Sequence, residues 1–344
     1  MTAELTSVLV GANGRRADQH AEAYRRVRRA ELVGVSARTP GTASTFAGRW
    51  GVPAAFEDYR EMLEVIRPDI VHLNTPPTAR RSLLQDCADA GVAGVIMEKP
   101  VGNDVDDLIW LREFERTSAM RVVVNHQLHY HPRRQRLAEL IRSGGIGRLR
   151  IIEGSARHTI AYQGTHVLEG VHDWAGRRPR SVTALVSGRA ALEDDGRGHI
   201  SPEQVSGLLD FGDGLLGIFR SGDAVAPSLD DPRARERHQH KRLVAWGEEG
   251  FAEWTMWGWR TRRGEVEESG DHAYEEEDLL GQAALVDDLV SWLTANRTPA
   301  VALSHALDEF SVLLALYTSA LERRPVELPH QLSARLIPRL RETL

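Results

Sequence analysis

Two short segments combine reactive side chains with a turn: Asn74-Thr75-Pro76-Pro77 and Glu98-Lys99-Pro100. Each follows an apolar run, IVHL at 70–73 and GVIM at 94–97, of the kind that forms strands buried on both faces. Lys99 is one of only two lysines, with Lys241, among 43 basic residues. A chain that otherwise relies on arginine gains from lysine a compact amine whose pKa can shift, because a guanidinium does not release its proton. Lys99 is therefore the first catalytic candidate.

A second chemical feature lies at the first strand-to-helix turn, Val10-Gly11-Ala12-Asn13-Gly14-Arg15-Arg16-Ala17. Gly11 supplies the tight turn one residue earlier than in a strict G-x-G-x-x-G, and Gly14 and Ala17 allow close backbone approach and helix packing. Gly11, Asn13, Gly14 and Arg15 then form a cradle of backbone N–H groups at the positive end of a helix, which suits a pyrophosphate. At the end of the second strand, Val35-Ser36-Ala37-Arg38-Thr39 has no carboxylate to meet ribose hydroxyls. Arg38, flanked by the hydroxyls of Ser36 and Thr39, would instead receive a 2′-phosphate, so NADP(H) is preferred over NAD(H), which the same cradle admits. Thr75, Pro76, Glu98 and Lys99 complete the expected cofactor site.

The elements that must position these residues alternate. Apolar strands are expected at 7–11, 31–36, 70–73, 94–97 and 121–125, with helices at 18–29, 42–50, 80–90 and 104–117 between them. This β-α alternation implies a parallel sheet covered on both faces, in the doubly wound α/β form. After His131-Pro132 the pattern changes to one helix at 133–143, then strands at 148–156, 181–189, 205–211, 215–221, 242–246 and 251–259, then helices at 279–295 and 304–321. The second domain is α+β with a large, open, mostly antiparallel sheet. The division is 1–124 for the nucleotide-binding Rossmann domain and 125–344 for the α+β domain, which is left to bind substrate. Residues 223–239, polar and proline-containing, read as an excursion between strands, a lid or a plain loop.

Composition narrows the function classes. At 344 residues, 42% apolar and 27% charged, the chain exceeds one ordinary core and lies far from disorder-prone compositions. A net charge of −6 with no basic stripe argues against a nucleic-acid partner. No apolar run reaches the length of a membrane helix, and the first residues lead into a strand without a signal-peptide pattern, so a soluble cytoplasmic protein is expected. Cys87 is the single cysteine, which excludes an internal disulfide, and it sits in an apolar helical stretch that suits core packing. His126, His129 and His131 are not read as a metal site, because strand-like spacing alternates faces and no carboxylate or cysteine completes the set. Trp254, Trp257 and Trp259 suit sheet core or a subunit interface, or stacking on a sugar face.

The succession Val10-Gly11 through Ala17 with His20, Glu31 to Arg38, Asn74-Thr75-Pro76, Glu98-Lys99-Pro100, Asn125 with Pro132, Ser143-Gly144 with Ile146-Gly147, and Gly164-Thr165-His166 resembles the landmarks of the Gfo/Idh/MocA oxidoreductases. The resemblance covers most of the chain, and its most specific part is the Glu-Lys-Pro element. It implies a Rossmann domain, an α/β domain whose open sheet mediates homodimers or homotetramers, and a catalytic pair made of the Glu-Lys-Pro lysine and a histidine. The histidine maps to His166, with Glu169 where members usually carry aspartate. The sequence departs from the pattern at Arg80, where a histidine often follows the Thr-Pro element, and at Tyr162, where many members have aspartate. His172, six residues past His166 on the same helix, is directed away from it.

The expected reaction is hydride transfer between the nicotinamide and a carbinol or keto carbon of a sugar, cyclitol or related polyol. His166 would act as acid and base, and Lys99 would hold the alkoxide and relay the proton. Asn125, His129 and Tyr162 are candidates, with His166, for hydroxyl recognition. Two alternatives share the fold: transient oxidation on a retained cofactor, leading to epimerisation, elimination or glycoside cleavage, and a dinucleotide-binding regulator without chemistry.

Overall fold

The structure is a computed structural model that describes residues 5–193, 198–227, 233 and 240–344. Its strands are β1 Leu5–Val10, β2 Ala30–Ser36, β3 Ala54–Phe56, β4 Ile70–Leu73, β5 Gly94–Met97, β6 Arg121–Val124, β7 Leu149–Ala156, β8 Ser181–Ser187, β9 Gln204–Gly212, β10 Leu215–Ser221, β11 Lys241–Gly247, β12 Gly250–Thr255, β13 Gly258–Arg263, β14 Val266–Asp271 and β15 Val326–Glu327. The α-helices are α1 Gly14–Ala23, α2 Thr42–Trp50, α3 Tyr59–Ile66, α4 Arg80–Asp89, α5 Val105–Thr117, α6 Pro132–Arg142, α7 Thr165–Ala175, α8 Tyr274–Ala295, α9 Leu303–Glu322 and α10 Leu336–Thr343. Two compact units emerge: Met1–Val101 with Ile109–Tyr130 and Asp278–Leu307, and Gly102–Leu108 with His131–Glu277 and Asp308–Leu344.

The first unit holds a six-stranded sheet in the order β3-β2-β1-β4-β5-β6. Every pairing in it is parallel. Every residue of β4 and β5 is buried, as expected for strands with both faces covered. Residues 278–307, which a division at 124/125 gives to the second domain, group with this unit. Leu285, Val286, Leu289 and Val290 of α8 share one core with Ile70, Ile96 and Val123 of the sheet. Two elements have no counterpart in the sequence reading, β3 and α3. Their three-residue strand is too short for periodicity to mark, and α3 is started by Asp58, whose carboxylate accepts from the Arg60 N–H at 2.8 Å. Helix α1 is also displaced from the expected 18–29. It begins at the glycine turn itself and stops at Ala23, where the N–H groups of Tyr24, Arg25 and Arg26 bond to carbonyls three residues back; farther on, the N–H groups of Arg28 and Arg29 turn to the Asp287 carboxylate, 3.3 Å away. Cys87 is fully buried, as its apolar setting implied.

The second unit is built on a nine-stranded sheet, β14-β13-β12-β11-β7-β10-β9-β8-β15. Its pairings are antiparallel except β7 with β10. Helix α7 lies on β7, where Gly154 leaves the space: a Cβ there would stand 2.7 and 2.8 Å from Val171 and Val167. The expected single strand 251–259 is two strands, β12 and β13, because the Thr255 hydroxyl accepts from the N–H groups of Trp257 and Gly258 and closes a turn. Strand β14 follows with almost every residue exposed, so hydrophobic alternation gives no sign of it. Most of the excursion expected at 223–239 lies outside the described residues.

Candidate active site

Sheet register assembles the first unit's part of the site. Val10 pairs with Leu73, Leu73 with Met97, and Met97 with Val124, so four neighbouring strands end in one row. Gly11, Asn74, Glu98 and Asn125 are the next residues of those strands, at the carboxyl edge where doubly wound sheets bind ligands. The four positions are scattered over more than a hundred residues of sequence and meet only through pairing.

Gly11 has a φ of +93°, and a Cβ on it would stand 2.3 Å from the carbonyl oxygen of Asn74. Only glycine fits, and the resulting turn is held from both sides. The N–H groups of Gly11 and Ala12 donate to the Ser36 carbonyl at 3.0 and 2.9 Å, and the Asn74 side-chain amide donates to the Gly11 carbonyl at 2.7 Å. Beside this turn is a cleft of about 380 Å³ lined by Asn13, Gly14, Asp18, Gly41, Thr42 and Arg49, among others. The cleft thus carries the first residues of both α1 and α2, whose positive ends favour anions. Asp18 is committed elsewhere, accepting from Trp50 Nε1 at 2.8 Å and from Arg49 at 3.1 Å. Arg15, Arg38 and Thr39 are exposed, and Thr75 Oγ1 is buried with no hydrogen-bond partner. A tight glycine cradle, an anion-favouring cleft and an unsatisfied hydroxyl fit a dinucleotide.

Glu98 is the hub of this carboxyl edge. One of its oxygens accepts from His20 Nε2 at 2.9 Å and from the Asn125 amide at 2.5 Å, with Arg16 Nε at 3.8 Å. Burial alone would raise this carboxyl, but Arg16, the His20 bond and Lys99 hold it well below the usual carboxylate range. Lys99 moves the other way: burial lowers it, Arg16 and Arg80 push it further, Glu98 pulls back, and the result is about 8. Arg80 is itself buried and donates to the carbonyls of Pro100 and, at 3.5 Å, Thr75. It joins the Thr-Pro and Glu-Lys-Pro turns, a clamp that sequence marked only as a departure from the family's histidine. Arg16 and His20 gained no catalytic weight from sequence, since nothing in their spacing links α1 to residue 98. Asn125, expected to meet substrate, spends its side-chain amide on Glu98. His129 lies edge-on to Tyr130, with ring centres 5.1 Å apart.

The second unit positions the histidine. His166 stands in the first turn of α7 and is buried. Glu169, one turn on, is buried too and accepts from Arg134 Nη2 at 2.8 Å, a pair with both partners out of water. Glu169 thereby works through Arg134 as an anchor for the helix that carries His166. Just before α7, a single π-helical turn, Ile160–Gly164, presents Tyr162. Its ring contacts His158 and His199 at 4.5 and 4.4 Å between centres, a grouping absent from the sequence reading. His172 packs edge-on against Phe211, and burial lowers it to about 4.

A glycine turn, a doubly wound parallel sheet and, at its carboxyl edge, buried Glu98 beside half-buried Lys99 are the features of a dinucleotide-binding Rossmann domain. Residues 5–126 match the model of the Gfo/Idh/MocA oxidoreductase family, described by its NAD-binding Rossmann fold. Among relatives, trans-1,2-dihydrobenzene-1,2-diol dehydrogenase of Macaca fuscata fuscata is 26% identical over 145 residues, 42% of this chain and 42% of its own length. D-xylose 1-dehydrogenase (NADP(+)) 2 of Haloferax volcanii is 25% identical over 113 residues, 33% of this chain and 34% of its own. The match thus spans less than half of these curated relatives. Over 94% of this chain and 98% of the other, an oxidoreductase from Agrobacterium radiobacter, solved in complex with NAD+, L-tartaric acid and magnesium, has the same fold, with a TM-score of 0.79 at 18% identity. Among the described residues no helix is long and apolar enough to cross a membrane.

Proposed function

We propose that the chain is an NADP(H)-preferring dehydrogenase or ketoreductase acting on a carbinol or keto carbon of a sugar, cyclitol or related polyol, with Lys99 and His166 as its catalytic pair. The observation that carries this reading is Lys99 itself: an amine lowered to about 8 beside a carboxylate that three side chains hold ionised. Such a group gives and takes a proton near neutral pH and, when charged, stabilises an alkoxide. A bound nicotinamide supplies the hydride donor or acceptor. His166 moves the substrate's hydroxyl proton, Glu98 fixes Lys99, and Tyr162 and His129 recognise hydroxyls. The diol and D-xylose substrates named for the two relatives support the substrate class.

The NADP preference rests on Arg38, on the absence of a carboxylate at the end of β2, and on Arg49 in the adjoining cleft. Assembly into homodimers or homotetramers through the second unit's sheet is supported by Leu185, Leu208 and Trp246, which are 77%, 46% and 36% exposed on its strands. The protein is proposed to act in the cytoplasm.

The test is fluorescence titration with NADPH and NADH, followed by a polyol and keto-sugar panel read at the nicotinamide absorbance. Tight NADPH binding with turnover that vanishes in His166→Ala supports the reading. Binding with no net redox on any substrate shifts it to the retained-cofactor or regulatory alternatives.

A further inference from the structure

We propose that the second unit carries a divalent-metal site of the zinc class, formed by His131, His272 and Glu277. The residue before α6, the residue after β14 and the first turn of α8 bring these side chains together. One nitrogen or oxygen from each lies within 4.8 Å of the others.

Hydrogen bonding shows why this grouping differs from ordinary buried polar residues. His131 is fully buried, yet neither ring nitrogen has a hydrogen-bond partner. Glu277 Oε2 and His272 Nδ1 are likewise buried and unmatched. His131 Nδ1 and Glu277 Oε2 face each other without hydrogen-bond geometry, while His131 Nε2 and His272 Nδ1 have no hydrogen-bond partner, and leaving buried polar atoms so is a heavy cost. A cation that takes one lone pair from each of the three side chains removes most of it at once.

The geometry agrees with a metal. His131 Nδ1 and Glu277 Oε2 are 3.3 Å apart. Two ligands on a tetrahedral zinc with bonds of about 2.0–2.1 Å stand about 3.3–3.4 Å apart. His272 Nε2 lies 3.0 Å from the Met256 carbonyl, which can only accept, so the proton sits on Nε2 and the Nδ1 lone pair is left for a metal. This outer contact is the one that orients metal-binding imidazoles elsewhere. The rings of His131 and His272 meet at 4.9 Å, and Trp254 lies 5.3 Å from His131, which gives the site an apolar wall. Two cations of α6 act on the site: Arg134, matched by Glu169 at 2.8 Å, and Arg133, which lies 4.0 Å over the Trp259 ring and interacts with Glu277. Two nitrogens and one carboxylate oxygen suit zinc, with a fourth position for water on the partly exposed side of His272 and Glu277. Because the ligands span 146 positions of the sequence, a metal here would tie residues 131, 272 and 277 of the second unit together and stabilise the native state by preferential binding.

The site is tested on the full chain, stripped with a chelator and titrated with Zn²⁺ in a competitive dye assay and with Co²⁺ by visible absorption. His272→Ala and Glu277→Gln are the variants, since both positions are partly exposed, and melting in chelator checks that each is folded; His305→Ala, an exposed histidine elsewhere, is the control. The proposal expects one equivalent of Zn²⁺, tetrahedral Co²⁺ bands and a metal-dependent rise in Tm in the parent and in His305→Ala, all lost in the other two. Absence of stoichiometric binding in the parent, or binding unchanged in both His272→Ala and Glu277→Gln, overturns it.

Discussion

Because the chain has only two lysines, the central electrostatic inference can be read directly. Lys99 is lowered from 10.5 to about 8, a change worth roughly 3 kcal/mol at about 1.4 kcal/mol for each tenfold. Burial lowers it most, Glu98 opposes, and Arg16 and Arg80 add to the fall. Glu98→Gln removes the only one of these influences that favours the charged amine while keeping the side chain's size. Loss of a nearby opposite charge typically moves a pKa by about one to three, so Lys99 should drop to near or below neutrality. Arg16→Gln removes a repulsion and should move it up. Protein made with [ε-¹³C]lysine gives two side-chain resonances, and Lys241→Arg assigns them. Titration should place Lys99 near 8 in the parent, lower in Glu98→Gln and higher in Arg16→Gln. A Lys99 that titrates at 10 or above, or that ignores Glu98→Gln, refutes the reasoning. The stability consequence has a definite sign. A lysine held below its unfolded value binds its proton less readily when folded, so stability rises with pH between about 8 and 10.5. Lys99→Met should therefore abolish turnover yet raise Tm at pH 7.

Three further outcomes rest on named contacts. Gly11→Ala places a Cβ 2.3 Å from the Asn74 carbonyl at a φ of +93°. It should cost about 1–3 kcal/mol in denaturant melts and abolish dinucleotide binding by fluorescence. Arg134→Met takes the guanidinium away from buried Glu169 and should destabilise the fold by about 3–5 kcal/mol, measured by the same melts. Arg38→Glu should weaken NADPH about ten- to hundredfold while changing NADH little, because a charge-assisted bond to the 2′-phosphate is worth about 1.5–3 kcal/mol; equal losses for both dinucleotides would remove Arg38 from the phosphate site.

Much of the first unit is legible in the sequence because strands buried on both faces appear as unbroken apolar runs. IVHL and GVIM point directly to β4 and β5, and so to the residues just past their ends, Asn74 and Glu98-Lys99. The surroundings of Lys99 are not legible. His20, Arg16 and Asn125 reach Glu98 from a helix and a strand whose approach depends on register and packing. Helix α8 reads as an apolar helix, but its partners Ile70, Ile96 and Val123 lie more than 150 residues earlier. In the second unit, β14 hides because its side chains face water, and β12 and β13 run together in the sequence because aromatic residues continue across their turn. An acid at residue 169 is plain in the sequence, whereas its bond to Arg134 emerges only from the packing of α6 on α7.

The most direct test of hydride transfer is isotopic. Reduction of a keto-sugar with NADPH deuterated at the transferred position of C4 should give a product carrying one deuterium on the new carbinol carbon, and His166→Ala should give none. Product without label, or label that stays on the dinucleotide while substrate is converted, would contradict net hydride transfer as the function of this chain.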